Sequence, residues 1–183
     1  MNEREKLLRR AALKCADFAR QLSYHRALAE YAQNSTQNFW IYMFNNAINL
    51  AVLDWFHLFG YHKDDLHWKR VVDDLEGFRH GLLQRVQMTE DEWKAYREIV
   101  KDYRDKDVAH IEVRPVSQVP TMAIALRATC FYYSVILAEL SKLRDYSAWP
   151  QELEEYHKKS FEQSVAISTV AYEATRGISE KVY

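Results

Sequence analysis

The sequence predicts an all-α fold, an up-and-down helical bundle of about five long helices with short connecting helices. Three observations lead there. Apolar residues recur at spacings of three and four along most of the chain. Glycine and proline number only four and three in 183 residues, too few for a turn-rich β protein. The breaks between periodic stretches are short, with no repeat, low-complexity segment or interdomain linker, which favours one domain over residues 1–177 and a flexible tail at 178–183.

The first helix is expected from about Asn2 to Ala32, with Leu8, Ala12, Cys15, Ala19, Leu22 and Ala29 on its apolar stripe. Asn34 and Ser35 punctuate it, and either suits the cap of the next helix. This second helix, about Thr36 to Phe59, carries Phe39, Trp40, Met43, Ala47, Leu50 and Leu53 and is apolar on more than one side, so it is expected at the centre. Asn46, Asn49 and Asp54 on it then need partners. Gly60 suits the left-handed position just past a helix.

After a polar connection to His67, short helices are expected over Leu66–Val72 and Asp74–Arg85, burying Trp68, Val72, Leu75, Phe78 and Leu82. Gly77 and Gly81, four apart, weaken the second and could allow close helix contact. Thr89-Glu90-Asp91-Glu92 is a capping-box pattern, followed at helical spacing by Trp93, Tyr96, Val100 and Tyr103. That helix is expected to run through Arg104–His110 and stop before Pro115, because a residue preceding proline avoids helical geometry. Val113–Pro120 reads as a loop. From Thr121 to Tyr146, Met122, Leu126, Thr129, Tyr133, Ile136, Leu140 and Leu143 form a heptad seam. Pro150 can open the last helix, which carries Glu152, Glu154 and Glu155 near its start, ends near Gly177, and is rich in Ser and Ala.

Charge and composition narrow the function. A net charge of −1 and a pI near 6.7 give no global basic field for nucleic acid or membrane, so an anionic partner must be held locally. Cys15 and Cys130 lie within apolar helical patterns and read as reduced core residues of a cytosolic protein. The charged start Met-Asn-Glu-Arg-Glu-Lys is not a secretion signal, and the longest apolar runs are broken by Asn45, Asn46, Asn49 and Asp54, or by Arg127, so no membrane span is expected. No Gly-rich phosphate loop, His-Glu-x-x-His or Gly-x-Ser-x-Gly occurs. His57, His62 and His67 recur every five residues near Asp64 and Asp65, a spacing that does not align metal ligands on a helix. Glu154-Glu155-Tyr156-His157 supplies one of the two Glu-x-x-His motifs that a di-iron bundle requires. No metal or other cofactor is expected.

The chemically distinctive stretch is Lys101–Ile111. On a helix Arg104, Asp107 and His110 stand at spacings of three, so each neighbouring pair can touch and Asp107 can orient both others. Arg104 and His110 themselves are about 120° and 9 Å apart on an ideal helix, and a long arginine, a local break or a second copy must bring them to one substrate. The same side chains would also serve as a surface ion-pair ladder worth a few tenths of a kcal/mol per pair.

The residues Arg104-Asp105-Lys106-Asp107-Val108-Ala109-His110 resemble the signature of the HEPN superfamily, an arginine, a polar residue and a histidine after four to six intervening positions. Tyr103-Arg104-Asp105-Lys106 running into Ala109-His110 looks like the abortive-infection type, and Leu53–Gly60 with His67-Trp68-Lys69 has a similar character. The resemblance implies a HEPN-like bundle and a metal-independent endoribonuclease or RNA-binding effector of phage defence or a toxin–antitoxin pair, built at a homodimer cleft. In that case Arg104 clamps phosphate through its bidentate fork and His110 transfers protons. Asp107 or Asp105 positions them, and Lys101, Lys106 and Arg114 add local attraction for phosphate. An antitoxin or other protein partner would accompany it. In HEPN toxins controlled by a nucleotidyltransferase, a tyrosine stands two positions after the histidine. Here it is Glu112, so that regulation is not expected. The alternative is a non-catalytic helical module binding a nucleotide or a protein through the same cleft.

Overall fold

A 32-residue helix, α1 (Glu3–Asn34), is the axis of the molecule. The Asn2 side chain caps it by accepting from the Glu5 amide at 2.7 Å. The stripe Leu8, Ala11, Ala12, Cys15, Phe18, Ala19 and Leu22 is wholly buried, because these positions share one face of a 3.6-residue helix. The computed structural model describes residues 1–108 and 118–180; among these, seven α-helices and no strand occur. The others are α2 (Asn38–Phe59), α3 (Trp68–Val71), α4 (Leu75–Val86), α5 (Glu90–Tyr103), α6 (Met122–Leu143) and α7 (Leu153–Thr175). An all-α bundle is therefore the fold.

It is α1, not α2, that sits at the centre. Helices α2, α3, α6 and α7 all pack on α1, whereas Phe39, Met43 and Leu50 of α2 stay exposed. The apolar excess that suggested a central helix lies instead on an open face. The core between α1, α2, α5 and α6 is aromatic: Trp55 meets Phe59, Trp93 and Tyr96 at centroid distances of 5.4, 5.9 and 5.8 Å, and Tyr132 closes on Phe59 at 5.7 Å.

Gly60 is not left-handed (φ −82°, ψ −102°). A Cβ there would lie 2.1 Å from the Phe56 ring, so close approach requires the glycine. The left-handed residue among the described ones is Gln87, which closes α4 at φ 58°, ψ 48° while the Met88 amide reaches the Leu83 carbonyl. Gly77 and Gly81 do not form one contact stripe. Gly77 leaves room for the capping carboxylate of Asp74, and Gly81 admits the Phe131 ring of α6.

The capping box of α5 is formed, with Thr89 N donating to Glu92 Oε2 at 2.7 Å and Glu92 N to Thr89 Oγ1 at 3.3 Å. Along α6, Met122, Thr129, Tyr133, Ile136 and Leu140 of the heptad seam are buried, Leu126 is half-buried and Leu143 is exposed. This helix is long and apolar enough to cross a membrane by length and composition, and half of its apolar window lies inside the bundle, the pattern of a core helix. Both cysteines are buried and free, and burial pushes the Cys130 thiol up to about 12.

Helix α7 begins at Leu153 rather than at Pro150 and docks on α1 through polar side chains. Beyond Leu153 its buried residues are His157, Ser164 and Ser168. Arg26 donates to His157 Nε2 at 2.8 Å, and a guanidinium has no acceptor, so the ring proton sits on Nδ1. Nδ1 faces the Ala19 carbonyl at 2.9 Å and Ser23 Oγ at 2.7 Å. Burial, opposed by the Ala19 carbonyl and assisted by Arg26, holds this imidazole below its ordinary pKa. From the end of α7 onward the chain meets the start of α2: Gln37 Nε2 donates to the carbonyls of Thr175 and Ile178, both at 2.7 Å, and Phe39 N donates to the Glu180 carboxylate.

Candidate functional site

The sequence expectation of one α-helix through His110 fails at Arg104. Helix α5 stops at Tyr103, and Arg104–Val108 is wound as a π-helical turn, with its bonds five residues apart instead of four. His110 and Arg114 lie outside the described residues, as does the end of the expected helix before Pro115.

The junction is fixed by two consecutive residues. Neighbours on a helix point about 100° apart, so Tyr103 and Arg104 reach α2 at separate places. Tyr103 is buried and donates its hydroxyl to Asn49 Oδ1 at 3.1 Å, which gives the expected partner to one of the α2 asparagines. Burial first, then the Asp107 charge, raises the Tyr103 pKa. Asp54 receives Lys14 at 2.8 Å, whereas Asn46 is exposed.

Arg104 lies against the corner where α2 ends. Its guanidinium carbon is 4.2 Å from the Phe56 ring centre and 4.9 Å from that of Tyr61, and Nη2 donates to the Tyr61 hydroxyl at 2.7 Å. The side chain is only 15% exposed, and its Nε has no hydrogen-bond partner among the described residues. Among the described residues its ion-pair partner is the adjacent Asp105. Of the two carboxylates that the sequence offered to position this arginine, Asp105 is the one paired with Arg104.

The lysines are also engaged. Lys106 pairs with Asp102, and Lys101 with Glu98 at 3.2 Å, a contact that raises the Lys101 pKa. Among the described residues the cleft alongside is lined by Glu98, Asp102 and Asp105 with Lys101, so carboxylates outnumber cations in that set. Arg97, about two turns before Arg104 on α5, donates to the Gly60 carbonyl at 2.8 Å and is half-buried, and desolvation lowers its pKa. Sequence reasoning missed Phe56, Tyr61 and Arg97. The signal available was the aromatic pair flanking Gly60, a ready seat for a cation.

Two of the three histidines near this corner do separate jobs. His57 Nδ1 pairs with Asp64 at 2.8 Å, while His67 is buried and caps α3 by accepting from the Lys69 amide at 3.2 Å. No three His, Cys, Asp or Glu side chains gather as metal ligands among the described residues. No family model matches the chain, and no curated protein or solved structure matches it either.

Proposed function

We propose that the chain is a HEPN-type, metal-independent endoribonuclease or RNA-binding effector of the cytoplasm, acting in phage defence or a toxin–antitoxin pair. Arg104 and His110 would form its site in a cleft shared by two copies. The observation that supports this reading is the setting of Arg104. A guanidinium is pressed on two aromatic rings at the head of a π-helical turn, an irregularity that recurs at functional sites.

Such an arginine is pre-oriented for a phosphate, which would compete with Asp105 for the fork. In the cleavage step the ribose 2′-oxygen bonds to phosphorus as its proton passes to a base. The bond from phosphorus to the 5′-oxygen breaks as that oxygen receives a proton, leaving a 2′,3′-cyclic phosphate and a 5′-hydroxyl. Two copies of His110 would serve as base and acid, with Arg104 stabilising the crowded phosphoryl oxygens.

A second reading, a non-catalytic module that binds a nucleotide or a protein partner, has its own support. The Arg104 fork is already occupied by Tyr61 and Asp105, and acids line the neighbouring cleft. End-labelled single-stranded RNA incubated with the protein in EDTA separates the two. The first reading expects cyclic-phosphate products and a loss of on the order of 100-fold or more in Arg104→Ala and His110→Ala. Nucleotide binding that weakens in Arg104→Ala without any cleavage assigns the second, and no cleavage with no effect of Arg104 on nucleotide binding removes the nuclease and the nucleotide module alike, leaving a protein partner.

A further inference from the structure

Helices α2 and α7 leave between them an open apolar groove of about 360 Å³, floored by Tyr24 and Leu28 of α1. Along its α2 wall Phe39, Met43 and Leu50 are 55%, 44% and 46% exposed, and on its α7 wall Ile167 is 70% exposed. One step further round each helix, Tyr42 and Val170 project at 65% and 72%. A helix with a solvent face normally carries charge there. From Thr36 to Leu53 the chain has no Asp, Glu, Lys, Arg or His.

We propose that this face is where two copies of the chain pack against each other about a two-fold axis. The area fits: these six side chains present roughly 700 Å² if a fully exposed large side chain counts for about 200 Å². A standard stable interface takes about 800 Å² from each partner. The shape fits as well, because a two-fold interface applies one patch to itself and so needs knob and hole on the same surface. Tyr42 and Val170 are the knobs, and the groove beside them is the hole.

Charge selects a second copy over an unlike partner. Around a two-fold axis each residue meets its own kind, which an uncharged face tolerates and a charged one does not. Asn45 and Asn46, exposed on α2, both donate and accept, so an amide there can pair with its own copy. The face also borders the motif helix, since Asn49, next to Leu50, receives the Tyr103 hydroxyl. The inference stands on the surface alone and does not require RNA cleavage.

Sedimentation equilibrium over a concentration series tests it with the whole chain. The wild type is expected to be a dimer at micromolar concentration. Leu50→Glu and Tyr42→Glu should each raise the dimer dissociation constant by on the order of 30-fold or more. Leu75→Glu, which places the same charge on a similarly exposed leucine at the start of α4, should leave the dimer intact. Circular dichroism confirms that each variant is folded. A monomeric wild type overturns the proposal, and so does a dimer that Leu50→Glu and Tyr42→Glu leave unchanged.

Discussion

Arg104 and Tyr61, 43 positions apart, meet through a 2.7 Å hydrogen bond from Nη2 to the phenol oxygen, with the guanidinium also stacked over the ring at 4.9 Å. Two weak attractions on one pair should appear as coupling. A double-mutant cycle with Arg104→Ala and Tyr61→Ala, read by urea denaturation, is expected to give about 1 kcal/mol. Tyr61→Phe keeps the ring and loses the acceptor, and should retain roughly half of that coupling. Strict additivity would mean that the two side chains do not hold each other in solution.

His67 makes stability fall in mild acid. Its burial, with Arg97 and Lys69 nearby, holds the imidazole at about 4, against about 6.5 in the unfolded chain. Between those values the unfolded state binds a proton that the folded state refuses. Stability is therefore intact above pH 6.5 and declines as pH falls toward 4, by on the order of 2–3 kcal/mol. His25 and His157, both shifted down chiefly by burial, act in the same direction. His67→Asn keeps a cap for the Lys69 amide and removes the titration, so unfolding free energies at pH 7 and pH 4.5 should lie closer together than in the wild type. An unchanged pH slope would exonerate His67.

Gln37 ties the chain's last turn to the start of α2. Its amide nitrogen serves two carbonyls, and its Oε1 accepts from Trp40 Nε1 at 3.0 Å. Gln37→Glu puts an acceptor against two acceptors and should cost about 1–3 kcal/mol locally. Hydrogen exchange at the C-terminal end of α7 is expected to quicken while the amides of α6 keep their rates. Uniform loss of protection would instead place Gln37 in the global core.

Gln87 holds a left-handed conformation that side chains with a Cβ resist. Gln87→Gly should stabilise the protein by about 0.5–1 kcal/mol, visible as a higher urea midpoint with an unchanged slope. A lower midpoint would show that the glutamine side chain makes up for its backbone.

Most of the architecture was legible in the residues because periodicity and caps are local. Thr89 and the Met122–Leu140 seam behave as their spacing predicts. The position of α2 was not, since apolar residues on several sides look alike whether they face a core or an open surface. The candidate site was legible in its residue types but not in its geometry. Nothing in Arg-Asp-Lys-Asp-Val distinguishes a π turn from an α turn, and the partners that seat Arg104 come from a corner more than 40 residues away.

The polar seam between α1 and α7 gives that helix its own response to solvent. Beyond Leu153 its buried residues are His157, Ser164 and Ser168, with Tyr172 set against Tyr31 and Trp40, so releasing it would expose less hydrocarbon than opening the aromatic core between α2, α5 and α6. Denaturant sensitivity and heat-capacity change both scale with newly exposed surface. Undocking of α7 would thus depend on urea with a shallower slope, read by hydrogen exchange, than the opening of α1 and α6, which follows the denaturant dependence of the whole molecule.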